Sequence, residues 1–80
     1  MRMISLGDGR YITAEDVVCI IELAKVGDKQ YINRAKESGL LVNVSGSRKD
    51  RTAVFMRNGC VLITGMTADT IRDRVSVAID

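Results

Sequence analysis

The 80-residue chain carries 12 basic and 10 acidic side chains, a net charge of +2, no histidine and no proline. That length makes one domain, spanning residues 1–80, whose own core is marginal and which gains from extra support such as self-association. Without histidine the usual general base and the commonest metal ligand are both missing, so catalysis and metal binding start from a poor position.

Other composition features narrow the class further. No apolar run approaches the roughly 20 residues that span a bilayer. The start of the chain, Met1–Asp8, has no apolar stretch of signal-peptide length, so the protein is expected to stay in the cytoplasm, away from membranes. Its two cysteines, Cys19 and Cys60, each lie inside an apolar run and read as reduced core thiols. There is no CxxC and no calcium-loop spacing of carboxylates, and no cofactor is expected.

In chain order, Met3–Leu6 reads as a short strand closed by the turn triplet Gly7-Asp8-Gly9, and Arg10–Thr13 as a second. Thr13 ahead of Ala14-Glu15-Asp16 has the form of a capping turn. Val17–Leu23, rich in β-branched residues and broken only by Glu22, reads as a central strand buried on both faces. After a loop at Ala24–Gly27, Asp28 is placed to cap a helix to about Ser38, with Ile32 and Ala35 as its apolar stripe and Gly39 as its stop. Leu40–Val44 is the next strand. Thr52–Arg57 and Cys60–Thr64 flank Asn58-Gly59, a strong hairpin signal in which both turn residues are expected at positive φ. Thr67 caps a closing helix whose Ile71, Val75 and Ile79 share a face. The order β-β-β-α-β-β-β-α gives an α+β fold, a small mainly antiparallel sheet with two short helices.

Catalytic constellations are scarce. Cys19 and Cys60 have aliphatic neighbours and no cation beside them to lower a thiol pKa. Asp8, Glu15, Asp16 and Glu22 are scattered in the manner of solvated surface and turn residues. Gly7-Asp8-Gly9 lacks the third glycine, the long following helix and the lysine of a phosphate loop. The chain therefore reads as a non-enzyme with no small-molecule substrate.

The basic residues are more informative. Between Val44 and Asn58, Arg48, Lys49, Arg51 and Arg57 stand against Asp50 alone, so this stretch carries +3 while the whole chain is +2. A charged loop between two strands is commonly just solvated. Here serines and a glycine let the backbone approach a surface, and arginine forks suit phosphate oxygens. Three cations on duplex phosphates give a salt slope of about −2.7, a roughly forty-fold loss of affinity between about 50 and 200 mM salt. One such loop binds too weakly for a regulator; several copies on one oligomer multiply the effective affinity. With no aromatic residue in the loop, duplex binding is favoured over base stacking on single strands.

The succession of Ile4-Ser5-Leu6-Gly7-Asp8-Gly9, Ala35-Lys36-Glu37-Ser38-Gly39-Leu40-Leu41-Val42, the basic loop, Thr52-Ala53-Val54-Phe55-Met56, and Val61-Leu62-Ile63-Thr64 before Thr67–Val75 resembles the RemA/RemB family in register over nearly the whole chain. These are small bacterial regulators of extracellular-matrix (biofilm) genes. The resemblance implies a cytoplasmic, ring-like homo-oligomer that acts as a transcriptional regulator and presents an arginine-rich loop to double-stranded DNA. By position, the family's adjacent loop arginines fall on Arg48 and Lys49, with Arg51 just behind; Arg57, from the charge count above, is read as a helper. The chain departs from the pattern in Lys49, in Asp50 among the cations, in a loop one residue longer, and in Asp16 where RemA has an arginine, as in the RemB branch. The alternative expectation is an oligomeric protein-interaction module of the RemB-like kind that does not bind DNA.

Overall fold

A computed structural model describes residues 2–7, 9–25, 27 and 29–79. Its elements follow the expected order: β1 (Met3–Gly7), β2 (Arg10–Thr13), β3 (Val17–Glu22), α1 (Gln30–Glu37), β4 (Leu41–Asn43), β5 (Thr52–Met56), β6 (Val61–Thr64) and α2 (Ala68–Ile79). Short 3-10 turns at Ala14–Asp16 and Leu23–Lys25 link β2 to β3 and follow β3. The fold is α+β. β1 and β2 form an antiparallel hairpin of their own, and the other strands form a four-stranded sheet ordered β3-β5-β6-β4. The β3–β5 and β5–β6 pairs are antiparallel, whereas β4 runs parallel to β6.

Side-chain alternation along β5 and β6 splits the apolar residues between two faces of the sheet. Val54, with Leu62 and Met56, packs against the β1–β2 hairpin (Ile4, Leu6, Ile12) and against Ile71 and Val75 of α2. Ala53, Val61 and Ile63, with Phe55 and Leu41, pack on the other face against Ile32 and Ala35 of α1. Each helix thus turns its apolar stripe to the sheet, and the two inner strands, β5 and β6, are covered on both sides.

That arrangement corrects the reading of Val17–Leu23 as the central strand. β3 lies at the edge of the sheet, with Val18 66% exposed. Its pairing with β5 shifts register between Val17 and Cys19, a bulge of the kind that disrupts an edge ladder and discourages indiscriminate strand addition. The thiols also differ from expectation: both cysteines are free, but Cys19 is exposed and Cys60 only half-buried. A β-branched run reports strand propensity, and propensity alone does not say how many neighbours a strand acquires.

Local signals fared unevenly. Thr67 caps α2 by accepting from the Thr70 backbone N–H at 3.3 Å. Thr13 makes no side-chain cap, and only a 3-10 turn follows it. The cap expected at Asp28, the turn residue Asp8 and the Ile79 side chain lie outside the described residues. At the β5–β6 hairpin, Gly59 N–H donates to Met56 O and Met56 N–H to Cys60 O, so the loop contains three residues, 57–59. Gly59 takes the left-handed position of a bulge, at φ 93°, closing a three-residue loop in place of a two-residue Asn58-Gly59 turn.

Candidate functional site

The segment between β4 and β5 crosses the C-terminal end of β6, because β6 lies between those two strands in the sheet. Both ends of the crossing are anchored to the last residues of β6. Val44 N–H donates to Ile63 O at 2.7 Å, and Arg51 N–H to Thr64 O at 2.9 Å. Ladder hydrogen bonds therefore continue past both strand ends and fix where the loop starts and stops.

Within the loop, polar side chains substitute for a hydrophobic anchor. Ser45 is buried, and its N–H donates to Asn43 Oδ1 at 2.9 Å, closing an Asx turn. The Ser45 hydroxyl donates to Asp50 Oδ1 at 2.7 Å, and Asn43 Nδ2 reaches both Asp50 oxygens at 3.2 and 3.3 Å. Arg48 N–H donates to Ser45 O at 3.1 Å, with Gly46 at φ 64° inside that turn. Asp50 thus clasps the two ends of the loop together. By charge it only subtracts from the four cations around it; its geometry makes it the residue that shapes the loop.

The clasp leaves Arg48, Lys49 and Arg51 exposed, and among the described residues none of the three has an ion-pair partner. Arg57 is placed differently. It stands beyond the far end of β5, about 20 Å from Arg51 at roughly 3.3 Å per residue. There it faces the Ala14–Asp16 turn, pairing with Asp16 at 3.8 Å and donating from Nη2 to the Glu15 carbonyl at 3.0 Å. The structure groups Arg48, Lys49 and Arg51 and sets Arg57 apart.

Two neighbouring elements complete the surroundings and were not picked out from sequence. Gly65, just after β6, sits directly under the loop: a Cβ there would lie 2.6 Å from Arg48 Cβ and 3.2 Å from Lys49 O. A glycine between a strand and a helix cap reads as ordinary turn punctuation, which conceals this close approach. On the other side, an open groove of about 790 Å³ runs between α1 and the loop, with Lys49, Asp50 and Arg51 on one wall and Lys29, Asn33 and Lys36 on the other. Among the described residues no three His, Cys, Asp or Glu side chains gather closely enough to hold a metal ion. No helix among them is long and apolar enough to cross a membrane.

A loop fastened at both ends, with its cations exposed and unpaired among the described residues, has the form of a binding surface. Residues 3–75 match the family model described as RemA-like, extracellular matrix regulatory protein A-like, and the chain belongs to that family. It is 25% identical over 77 residues to extracellular matrix regulatory protein A of Bacillus subtilis (strain 168), an alignment covering 96% of this chain and 86% of that protein. It is 29% identical over 72 residues to a protein named "Putative regulatory protein" in Desulfosudis oleivorans, covering 90% of this chain and 74% of the relative. A relative from Cyanothece sp. (strain PCC 7425) with the same kind of name is 24% identical over 80 residues, covering all of this chain and 88% of that one. These names support a regulatory role.

Proposed function

We propose that the protein is a DNA-binding transcriptional regulator that works as a ring-like homo-oligomer and grips the backbone of double-stranded DNA with Arg48, Lys49 and Arg51. The observation that carries this reading is the division of labour inside the loop. Its one carboxylate is turned onto Ser45 and Asn43, and its three cations are left without ion-pair partners among the described residues. Cations held in place but unpaired lose little by exchanging water for phosphate oxygens, and the loss of condensed counterions from DNA drives the contact. Contacts of this kind position a protein on the duplex without reading base edges, so target choice rests largely on DNA shape and bendability. Self-association repeats the loop, and the exposed apolar edge at Val18 supports a contact between copies.

Fluorescence anisotropy with a labelled duplex tests the proposal. The parent protein is expected to bind with a steep salt dependence, and Arg48→Ala, Lys49→Ala, Arg51→Ala combined is expected to abolish most of it. Equal affinity of parent and triple variant would refute the loop as the contact. Arg57→Ala is expected to leave the salt slope unchanged, since that side chain is committed to Asp16 and Glu15.

A further inference from the structure

Helix α1 lies across the groove from the loop and presents one polar face to it. Lys29 stands at the helix start, followed by Asn33 and Lys36, at spacings of four and three residues that stack side chains on one face. All three line the same groove as Lys49 and Arg51. Arg34, on the same helix, does not line it.

The charge state of this groove is lopsided in a way its composition hides. Among the described residues three acidic side chains line it, Glu22, Asp50 and Asp69, and each is engaged. Glu22 pairs with Lys25 at 3.3 Å, Asp69 with Arg72 at 3.4 Å, and Asp50 holds Ser45 and Asn43. The four cations that line it, Lys29, Lys36, Lys49 and Arg51, have no ion pair among the described residues. Two walls of cations with no ion pair among the described residues, and an amide at Asn33 between the helical pair, suit a chain of phosphodiesters better than a single small anion. Lys29 and Lys36 are separated by about 10 Å along the helix at 1.5 Å per residue, so they reach different phosphates.

We infer that α1 is the second wall of the nucleic-acid track, with Lys29 and Lys36 contacting backbone phosphates and the Asn33 amide donating between them. The inference rests on the reading of the loop as a DNA contact. It adds two cations per chain to the three of the loop. At about −0.9 per phosphate contact, the salt slope per engaged chain then rises from about −2.7 to about −4.5. Between about 50 and 200 mM salt that is roughly 500-fold loss of affinity in place of roughly forty-fold. The ratio of slopes does not depend on how many chains of an oligomer engage at once.

The test is a salt titration of duplex binding for the full chain and four variants. Lys29→Ala/Lys36→Ala is expected to reduce the slope to about three fifths of the parent value. Lys29→Arg/Lys36→Arg is expected to keep it, and Arg34→Ala, which removes one cation from the same helix away from the groove, is expected to leave it unchanged. The loop triple variant reports separately on the loop. If that variant loses binding while Lys29→Ala/Lys36→Ala keeps the parent slope, α1 is not part of the track and the loop reading stands alone. If Arg34→Ala lowers the slope as much per charge as the lysine variant does, the effect is one of overall charge and the inference fails. A parent protein that binds no duplex at any salt overturns both readings together. All of the substituted side chains are exposed, and unchanged far-ultraviolet circular dichroism confirms that the comparison is between folded proteins.

Discussion

Gly65→Ala is the most direct probe of how the binding loop is held. The added methyl would stand 2.6 Å from Arg48 Cβ, 3.2 Å from Arg48 Cδ and 3.2 Å from Lys49 O. Carbon atoms settle at about 3.5–4.0 Å, so Arg48 Cβ has to retreat by about 1 Å. A Cβ is fixed to the backbone, so the retreat moves the loop itself and strains the Ser45–Arg48 turn. Overpacking of this size costs about 1–3 kcal/mol, while the stiffer unfolded chain of an alanine variant returns about 0.4–1 kcal/mol. A net destabilisation of about 1–2 kcal/mol is expected in urea unfolding. Amide hydrogen exchange gives a sharper reading: the Arg48 and Arg51 N–H groups, bonded to Ser45 O and Thr64 O, are expected to lose protection while the β5–β6 ladder keeps its own. DNA affinity is expected to fall with no charge removed. A variant as stable as the parent, with unchanged exchange at Arg48, would show that the loop does not depend on this close approach.

Three further substitutions test other parts of the structure. Ile71→Ala empties a fully buried site where α2 meets the sheet and hairpin, and is expected to cost about 2–5 kcal/mol in chemical denaturation. Thr52→Val keeps the shape of a buried side chain but deletes the 2.7 Å hydrogen bond to Met66 O, leaving that acceptor short; about 1–3 kcal/mol is expected by the same measurement. Val18→Lys places a charge on the exposed bulge of β3 and is expected to change stability by no more than about 0.5 kcal/mol. In light scattering it is expected to lower the apparent mass if that edge joins copies of the chain.

Much of this fold is legible in the sequence because its elements are punctuated locally. Asn58-Gly59 marks the hairpin, Thr67 marks the start of α2, and the Ile32–Ala35 spacing marks the face of α1 that meets the sheet. Strand order is another matter. Val17–Glu22 and Thr52–Met56 are both apolar runs, and which becomes central depends on where α1, α2 and the hairpin dock, a nonlocal choice. The parallel β4–β6 pairing is equally invisible, since it is set by a loop that steps over β6. For the site, the cations stand out by charge, but their setting does not. Asp50 hydrogen-bonds to residues five and seven positions earlier, and Gly65 meets Arg48 across 17 positions of chain. Neither relation leaves a periodic trace.

A net charge of +2 also gives little warning of a cationic surface, because it averages two populations that the fold keeps separate. Lys25, Arg57 and Arg72 pair with carboxylates, and Arg74 donates to the Ser5 carbonyl. Those four cations brace the structure, and the acids that three of them occupy, Glu22, Asp16, Asp69 and Asp73, are thereby offset by partners that do not line the groove. Asp50 is committed to the clasp. What remains at the groove is positive because the acids among its described residues are each engaged by another partner, and no strong excess of basic residues is needed. The consequence is testable through the acids as well as the cations. Glu22→Gln frees Lys25 beside the groove without touching any proposed contact, and is expected to raise duplex affinity at low salt by a few-fold, with the gain vanishing as salt screens the exposed charges. An affinity that falls on removing Glu22 would contradict an electrostatic origin for the binding.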